Sequence, residues 1–202
     1  MRLLVIDTAS EACSLALFDD RTCIASSHEV LGRGHAERLI PTIAAMPAKG
    51  QADRIAVSLG PGSFTGTRIG LAAARALGVA RQVDVIGYPT LAIVAAVARA
   101  QFGTIAVSVA MAGGHGEIFV QNFDAAGMPS SAPVSLTPEA AAKAASANLV
   151  AGNKAEDVVT ARTFGTAMPA LPDARAFLGI PAPLFTNHLA PIYGRPPDAK
   201  PS

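Results

Sequence analysis

The chain has 202 residues, of which half are hydrophobic and only 15% are charged. That balance excludes an intrinsically disordered chain and allows one large domain or two small ones. Sixteen basic against 15 acidic residues leave a formal charge of +1, which argues against gripping nucleic acid unaided, because such affinity comes from neutralising several phosphates. The longest apolar run, Leu91 to Ala98, is eight residues, well short of the roughly twenty that a membrane span needs. The N-terminus reaches Asp7 too soon for a secretion signal, so a cytoplasmic location and no membrane contact are expected.

Alanine accounts for 42 residues and Trp is absent, so the core must rely on aliphatic side chains and close backbone approach. Leu3 to Thr8, Ser14 to Phe18 and Thr22 to Ser26 read as three strands separated by the turns Ser10-Glu11 and Asp19-Asp20-Arg21. Short turns make such neighbours antiparallel. From His35 the apolar positions Ala36, Leu39, Ile40, Ile43 and Ala44 recur at helical spacing, with Pro41 expected to kink the helix or leave a short turn before it. A buried strand, Ile55 to Leu59, leads into the loop Gly60-Pro61-Gly62-Ser63-Phe64-Thr65-Gly66. A second helix is predicted from about Thr65 to Ala80, capped by Ser63 or Thr65. Val83 to Ile86 is a further strand, and Pro89-Thr90 opens a third helix to about Ala100.

A meander joined to crossover units gives a mixed sheet with helices on its faces. The chain then begins again with strands at Thr104 to Val109 and Glu117 to Phe123, a helix at Pro138 to Ala147, and a strand near Leu149-Val150. This is a smaller, eroded repeat of the first part. The expected division is therefore 1–102 and 103–202, with the proline-rich stretch from Pro181 extended on the surface and able to pack back on the first half.

The Gly60 to Gly66 loop carries the strongest local signal. Glycines permit positive φ and close backbone approach, and amides at a helix start can hold an anion, which makes Gly60, Gly62, Ser63 and Gly66 candidates for such a site. A tight strand-to-helix turn that binds nothing is the other reading. The loop is neither a Walker A loop nor a GxGxxG fingerprint. The following helix has Gly66, Gly70, Ala74 and Gly78 at four-residue intervals, a side-chain-poor stripe that suits packing either on its own sheet or against another helix. In the first case Arg68, Ala72, Arg75 and Val79 point outward. Two Cys without metal spacing are read as buried thiols, and the four His form no HxxxH pair.

Leu4-Val5-Ile6-Asp7-Thr8, the run from Leu59 to Gly70, Tyr88-Pro89-Thr90-Leu91 and the tail Pro191 to Lys200 resemble the bacterial TsaB family. The resemblance implies an α/β fold of two ribonuclease-H-like halves of the actin, sugar-kinase and heat-shock-ATPase type, the second half reduced. It implies a non-catalytic subunit, without cofactor or metal, that supports a TsaD-like transferase making threonylcarbamoyladenosine beside the tRNA anticodon. A TsaE-like ATPase joins the same complex, tRNA is met only through the complex, and the chain alone forms a homodimer. The resemblance places the interface on the first two helices, with His35, Leu39, Gly66, Arg68, Gly70, Ala74, Arg75 and Gly78 as its candidates.

Asp7 is followed by Thr8-Ala9-Ser10-Glu11 rather than a glycine-containing phosphate turn, which counts against the alternative, an ATP-dependent kinase or phosphohydrolase of the same fold. The chain departs from the family pattern at Met111-Ala112-Gly113-Gly114-His115, where an Asp-Ala-Arg is usual and a lengthened hairpin loop is expected.

Overall fold

A computed structural model describes residues 1–194. β1 (Arg2–Asp7), β2 (Ala12–Asp19) and β3 (Thr22–Val30) form the expected meander. They are followed by α1 (His35–Ala45), β4 (Arg54–Ser58), α2 (Phe64–Arg81), β5 (Asp84–Tyr88) and α3 (Thr90–Phe102). β4 and β5 join in parallel to give the sheet order β3-β2-β1-β4-β5.

The second part repeats the plan with β6 (Val107–Ala112), β7 (Ile118–Phe123), β8 (Val134–Leu136), α4 (Pro138–Ala144), β9 (Leu149–Ala151), α5 (Ala155–Arg162) and β10 (Thr166–Met168). Its order, β10-β9-β6-β7-β8, is the same topology with β6 in the place of β1 and only three residues in each of β8, β9 and β10. The fold is thus α/β, two mixed sheets with flanking helices.

Strand alternation sorts the side chains into layers. Leu4 and Ile6 of β1, Leu15 and Leu17 of β2, and Ile55 and Val57 of β4 pack beneath α1 and α2. Leu3, Val5, Ala16, Phe18 and Ala56 turn the other way and meet α3. The same central core takes in Val107, Val109, Met111, Phe119 and Phe123 of the second sheet. Ala110, Ile118, Val120 and Val150 face α4 and α5 instead. α3 is buried nearly all round, as an almost wholly apolar helix must be.

Several expectations change. α1 runs unbroken through Pro41, so neither the expected kink nor a short separate first turn is needed. Pro41 and the adjoining Ile40 both face solvent. Ser63, not Thr65, caps α2, its Oγ accepting from the Gly66 amide at 3.1 Å. Cys13 is buried, but Cys23 lies exposed on the edge strand β3. The short strands β8 and β10 and the helix α5 are additional to the elements read from the sequence.

The segment from Leu184 to Gly194 does lie across the surface, but it is pinned rather than loose. Thr186 pairs with Gly87 at the edge of the first sheet, and the Ile192 amide donates to the Leu59 carbonyl at 2.6 Å. Leu189 and Ile192 pack on the core beneath α1 and α2. Within the tail motif, positions 195 to 200 lie outside the described residues.

Candidate functional site

The Gly60 loop joins β4 to α2 by passing under the turn that follows β1. A β-carbon at Gly62 would run into the Ala9 carbonyl, one at Gly66 into the Thr8 carbonyl, and one at Gly60 into the Ile192 carbonyl. Gly60 also takes a φ of +90°, which disfavours any side chain. These glycines therefore serve contact between backbones.

The loop's donors are engaged inside the chain. Gly60 N–H donates to Thr90 Oγ1 at 3.0 Å, Ser63 N–H to the Ala9 carbonyl at 2.7 Å, and Gly66 N–H to Ser63 Oγ. Thr8 Oγ1 returns a hydrogen bond to the Gly66 carbonyl at 2.7 Å. Of the two readings of the loop, the tight strand-to-helix turn accounts for these three amides; they are not aimed at an anion.

Asp7, at the end of β1, is completely buried. Its Oδ1 accepts from the Ala9 amide at 3.0 Å, and the Tyr88 hydroxyl lies 3.1 Å from Oδ2 and 3.2 Å from the Ile6 carbonyl. Burial pushes the carboxyl up to about 6, against the opposing pull of the Ala9 and Tyr88 hydrogen bonds. Burial likewise raises the Tyr88 hydroxyl well above its ordinary value. The Ser58 hydroxyl borders this pair, close enough to favour the charged carboxylate but outside hydrogen-bonding geometry with any described group. A carboxylate sealed in this way is a structural element of the sheet end, not a ligand presented to solvent.

The interface candidates divide by burial. His35 and Leu39 are 6% and 1% exposed and point into the first sheet, His35 Nε2 lying 3.3 Å from the Ala12 carbonyl. Gly66, Gly70, Ala74 and Gly78 form the buried face of α2 and rest on Thr8, Ile6, Val57 and Val85. These six positions are therefore corrected to internal packing, because the stripe lets α2 sit close on its own sheet. Arg68 and Arg75 face outward. Arg75 Nη2 donates to the Leu189 carbonyl at 2.6 Å, and Arg68 Nη2 to Tyr193 Oη at 3.2 Å while its guanidinium stacks 3.6 Å above the Phe64 ring. Sequence reasoning missed this use of the two arginines, since nothing local links them to residues 114 and 125 positions away.

The outward surface of α1 and α2 mixes small and apolar groups with the charged Glu37, Arg38, Arg68 and Arg75. Ala36, Ala44, Ala72, Ala76 and Ala80 are exposed there, together with Ile40 at 47% and Val79 at 81%.

His28 Nδ1 engages Ser14 Oγ at 3.2 Å, so the two histidines flanking the Gly32-Arg33-Gly34 loop have separate partners. Among the described residues no group of three or more His, Cys, Asp or Glu gathers as a metal site, and no helix is long and apolar enough to cross a membrane. The altered Met111 to Gly116 segment is a hairpin loop, closed by Gly113 N–H to the Glu117 carbonyl at 2.8 Å. Its β6 side borders a cavity of about 310 Å³ between the two sheets' strand ends, the Gly60 loop and residues 191–194.

A family profile described as TsaD: tRNA N6-adenosine threonylcarbamoyltransferase matches residues 25–173. The chain is 36% identical over 124 residues to the tRNA threonylcarbamoyladenosine biosynthesis protein TsaB of Escherichia coli K12, a match covering 59% of this chain and 53% of that protein. It is 37% identical over 109 residues to TsaB of Haemophilus influenzae, covering 50% and 44% respectively. The chain thus spans about half the length of the curated relatives it matches. Among solved structures, a Pseudomonas aeruginosa protein with similarity to peptidase YeaZ superposes with a TM-score of 0.82 at 28% identity, covering 96% of this chain and 99% of the other. The ethanolamine utilization protein EutJ of Carboxydothermus hydrogenoformans, at 13% identity and a TM-score of 0.51, shares the fold alone.

Proposed function

Since the chain belongs to the family of the TsaD profile and, within it, resembles TsaB, we propose that it is a non-catalytic scaffold subunit in the formation of threonylcarbamoyladenosine on tRNA. Its partner is a TsaD-like transferase, with a TsaE-like ATPase in the same complex, and tRNA is met through that complex. Alone, the chain pairs with a second copy through the surface that the transferase would otherwise cover. The reading also carries a cytoplasmic location and the division at about residue 102.

The observation that carries the proposal is the combination of a sealed Asp7 with an exposed, small-residue face on α1 and α2. A kinase or phosphohydrolase of this fold would need its β1 carboxylate open to a nucleotide, whereas Asp7 is 0% exposed and hydrogen-bonded within the chain. The outward helix face carries exposed alanines at 36, 44, 72, 76 and 80, and such small side chains let another helix pair approach closely.

The test is co-purification with a TsaD-like protein, followed by reconstitution with tRNA, threonine, bicarbonate and ATP. The expected result is a stable complex whose modified nucleoside depends on both chains. Full modification without this chain, or turnover by this chain alone that Asp7→Ala abolishes, would overturn the proposal.

A further inference from the structure

The cavity between the sheets is about 310 Å³, at the lower end of the range for small-ligand pockets, and groups of both signs border it. The negative side is Glu11. Asn153 Nδ2 donates to both Glu11 carboxylate oxygens, at 2.9 and 3.1 Å, while Asn153 Oδ1 accepts from the Ala112 amide at 2.8 Å. A carboxylate has about four acceptor directions, so one amide group leaves it capacity toward the cavity.

The positive side is the start of α2. The amides of Phe64 and Thr65, the first two of the helix, have no acceptor among the described residues, and Phe64 lines the cavity. The helix dipole adds to these donors. The Arg68 guanidinium lies one turn further on. It stacks 3.6 Å above the Phe64 ring and donates to Tyr193 Oη at 3.2 Å, and both of those residues are walls of the cavity.

Thr67 is the group that points to an occupant. It is 4% exposed and lines the cavity, and its hydroxyl has no hydrogen-bond partner among the described residues. Ser58 Oγ, also without a partner, is sealed in the core; the Thr67 oxygen opens on the cavity instead. A hydroxyl withdrawn from bulk water and left unbonded is costly, and an acceptor on a ligand would satisfy it. The Ser63 amide, bonded to the Ala9 carbonyl at 2.7 Å, ties the start of α2 to a residue two positions before Glu11. Two residues of chain span at most about 7 Å, so the two sides lie a small molecule apart.

A simple anion in this space would face Glu11, and a simple cation would face the helix start and Arg68. A zwitterion satisfies both sides. Met111, Phe119 and Ile192 leave an apolar wall for a side chain. We propose that the cavity binds a free α-amino acid with an apolar side chain. Its carboxylate lies toward Thr67 and the start of α2, and its ammonium group on Glu11, which Asn153 positions. The site is formed within this chain, so its test needs no partner and is separate from that of the scaffold role.

The experiment is an NMR titration of the labelled full chain with L-leucine. Its counterparts are isocaproate and isoamylamine, which keep the branched carbon chain and carry only one of the two charges. Leucine is expected to shift the amides of Phe64, Thr65 and the Asn153 side chain saturably, with Kd on the order of 1 mM. Each counterpart should bind roughly tenfold more weakly, or less well still. Glu11→Gln should weaken leucine by roughly tenfold. Thr67→Val removes the hydroxyl and keeps the shape. It should bind leucine several-fold more weakly while its Tm stays at or above the parent's, because no bond within the chain is lost. That variant decides the matter should Glu11→Gln misfold. The proposal is overturned if leucine gives no saturable shift, if either singly charged counterpart binds as well as leucine, or if folded Glu11→Gln or Thr67→Val binds leucine as the parent does.

Discussion

Replacing Gly66 and Gly70 by alanine separates the two effects that glycine has in α2. In a helix interior alanine is favoured over glycine by about 1 kcal/mol, so propensity alone predicts a gain. At Gly70 the new methyl would meet Thr8 Oγ1, a buried side chain that donates to the Gly66 carbonyl. Rotating it away forfeits a buried hydrogen bond, ~1 kcal/mol, on top of an overpacking cost of ~1–3 kcal/mol. The net expectation for Gly70→Ala is a loss of ~1–3 kcal/mol. At Gly66 the obstacle is the Thr8 carbonyl itself, which cannot rotate out of the way without moving β1. Gly66→Ala should therefore lose more, ~3 kcal/mol or above. For a chain of this size each kcal/mol lowers Tm by roughly 2–4 °C. The assay is urea and thermal unfolding of the parent, both variants and Ala72→Gly, an exposed position where the loss should be the ~1 kcal/mol of propensity. If Gly66→Ala unfolds at or above the parent's midpoint, α2 is not seated on the end of β1 and the packing argument is wrong.

Asp7 gives a prediction in pH. Its folded-state carboxyl sits at about 6 against an ordinary 3.8, so the folded chain binds more protons than the unfolded one between those values, and stability falls as pH rises through the window. The burial penalty is absent below pH 3.8, complete above about pH 6, and of the order of 3 kcal/mol at ~1.4 kcal/mol for each pH unit. Asp7→Asn should flatten the stability profile between these limits and leave the chain no less stable at pH 7, since Tyr88 can donate to the Ile6 carbonyl and accept from the new amide; a marked loss at neutral pH would contradict this. Arg75→Gln should release the Leu189 carbonyl and speed amide exchange around Leu189 and Ile192, with Tm shifted by only a few degrees; unchanged exchange there would remove Arg75 from the account of how this segment is held.

Most of the first half was legible because β1 and β2 each carry two apolar sets. Leu3 and Val5 against Leu4 and Ile6 state two buried faces at once, and the Gly60 loop announces a strand-to-helix turn by composition. The second half is harder for a physical reason. β9 and β10 have three residues each, too few for a period to be read. α5 begins at Ala155 with no side-chain cap and buries only Ala155 and Val158. The direction of the glycine stripe was illegible for a different reason: four-residue spacing defines a face but not what lies against it. What decides it is the Thr8 carbonyl, 58 positions from Gly66. The Glu11–Asn153 pair, 142 positions apart, had no local signal at all.

The inward turn of that stripe moves the proposed contact surface and makes it testable without damage to the core. Ala74 is 0% exposed, so Ala74→Arg would unfold the chain whatever the partner does. Arg75 is exposed but holds the Leu189 carbonyl, so its reversal would disturb the C-terminal segment as well. Ala76 has neither complication: it is exposed on α2 among Ala72, Ala80 and Val79. Ala76→Arg should leave the monomer's Tm within a few degrees of the parent, because arginine is a good helix former at an exposed position. At a closely packed contact between helix pairs the same residue should cost ~1–3 kcal/mol, roughly a ten- to hundredfold loss of affinity. Ile40→Glu on α1 places a charge on the other helix of the same surface and should act in the same direction. On the proposal that one face serves both assemblies, self-association by analytical ultracentrifugation and affinity for a TsaD-like chain should fall together. If either assembly survives both substitutions at the parent's affinity, that assembly does not use this face.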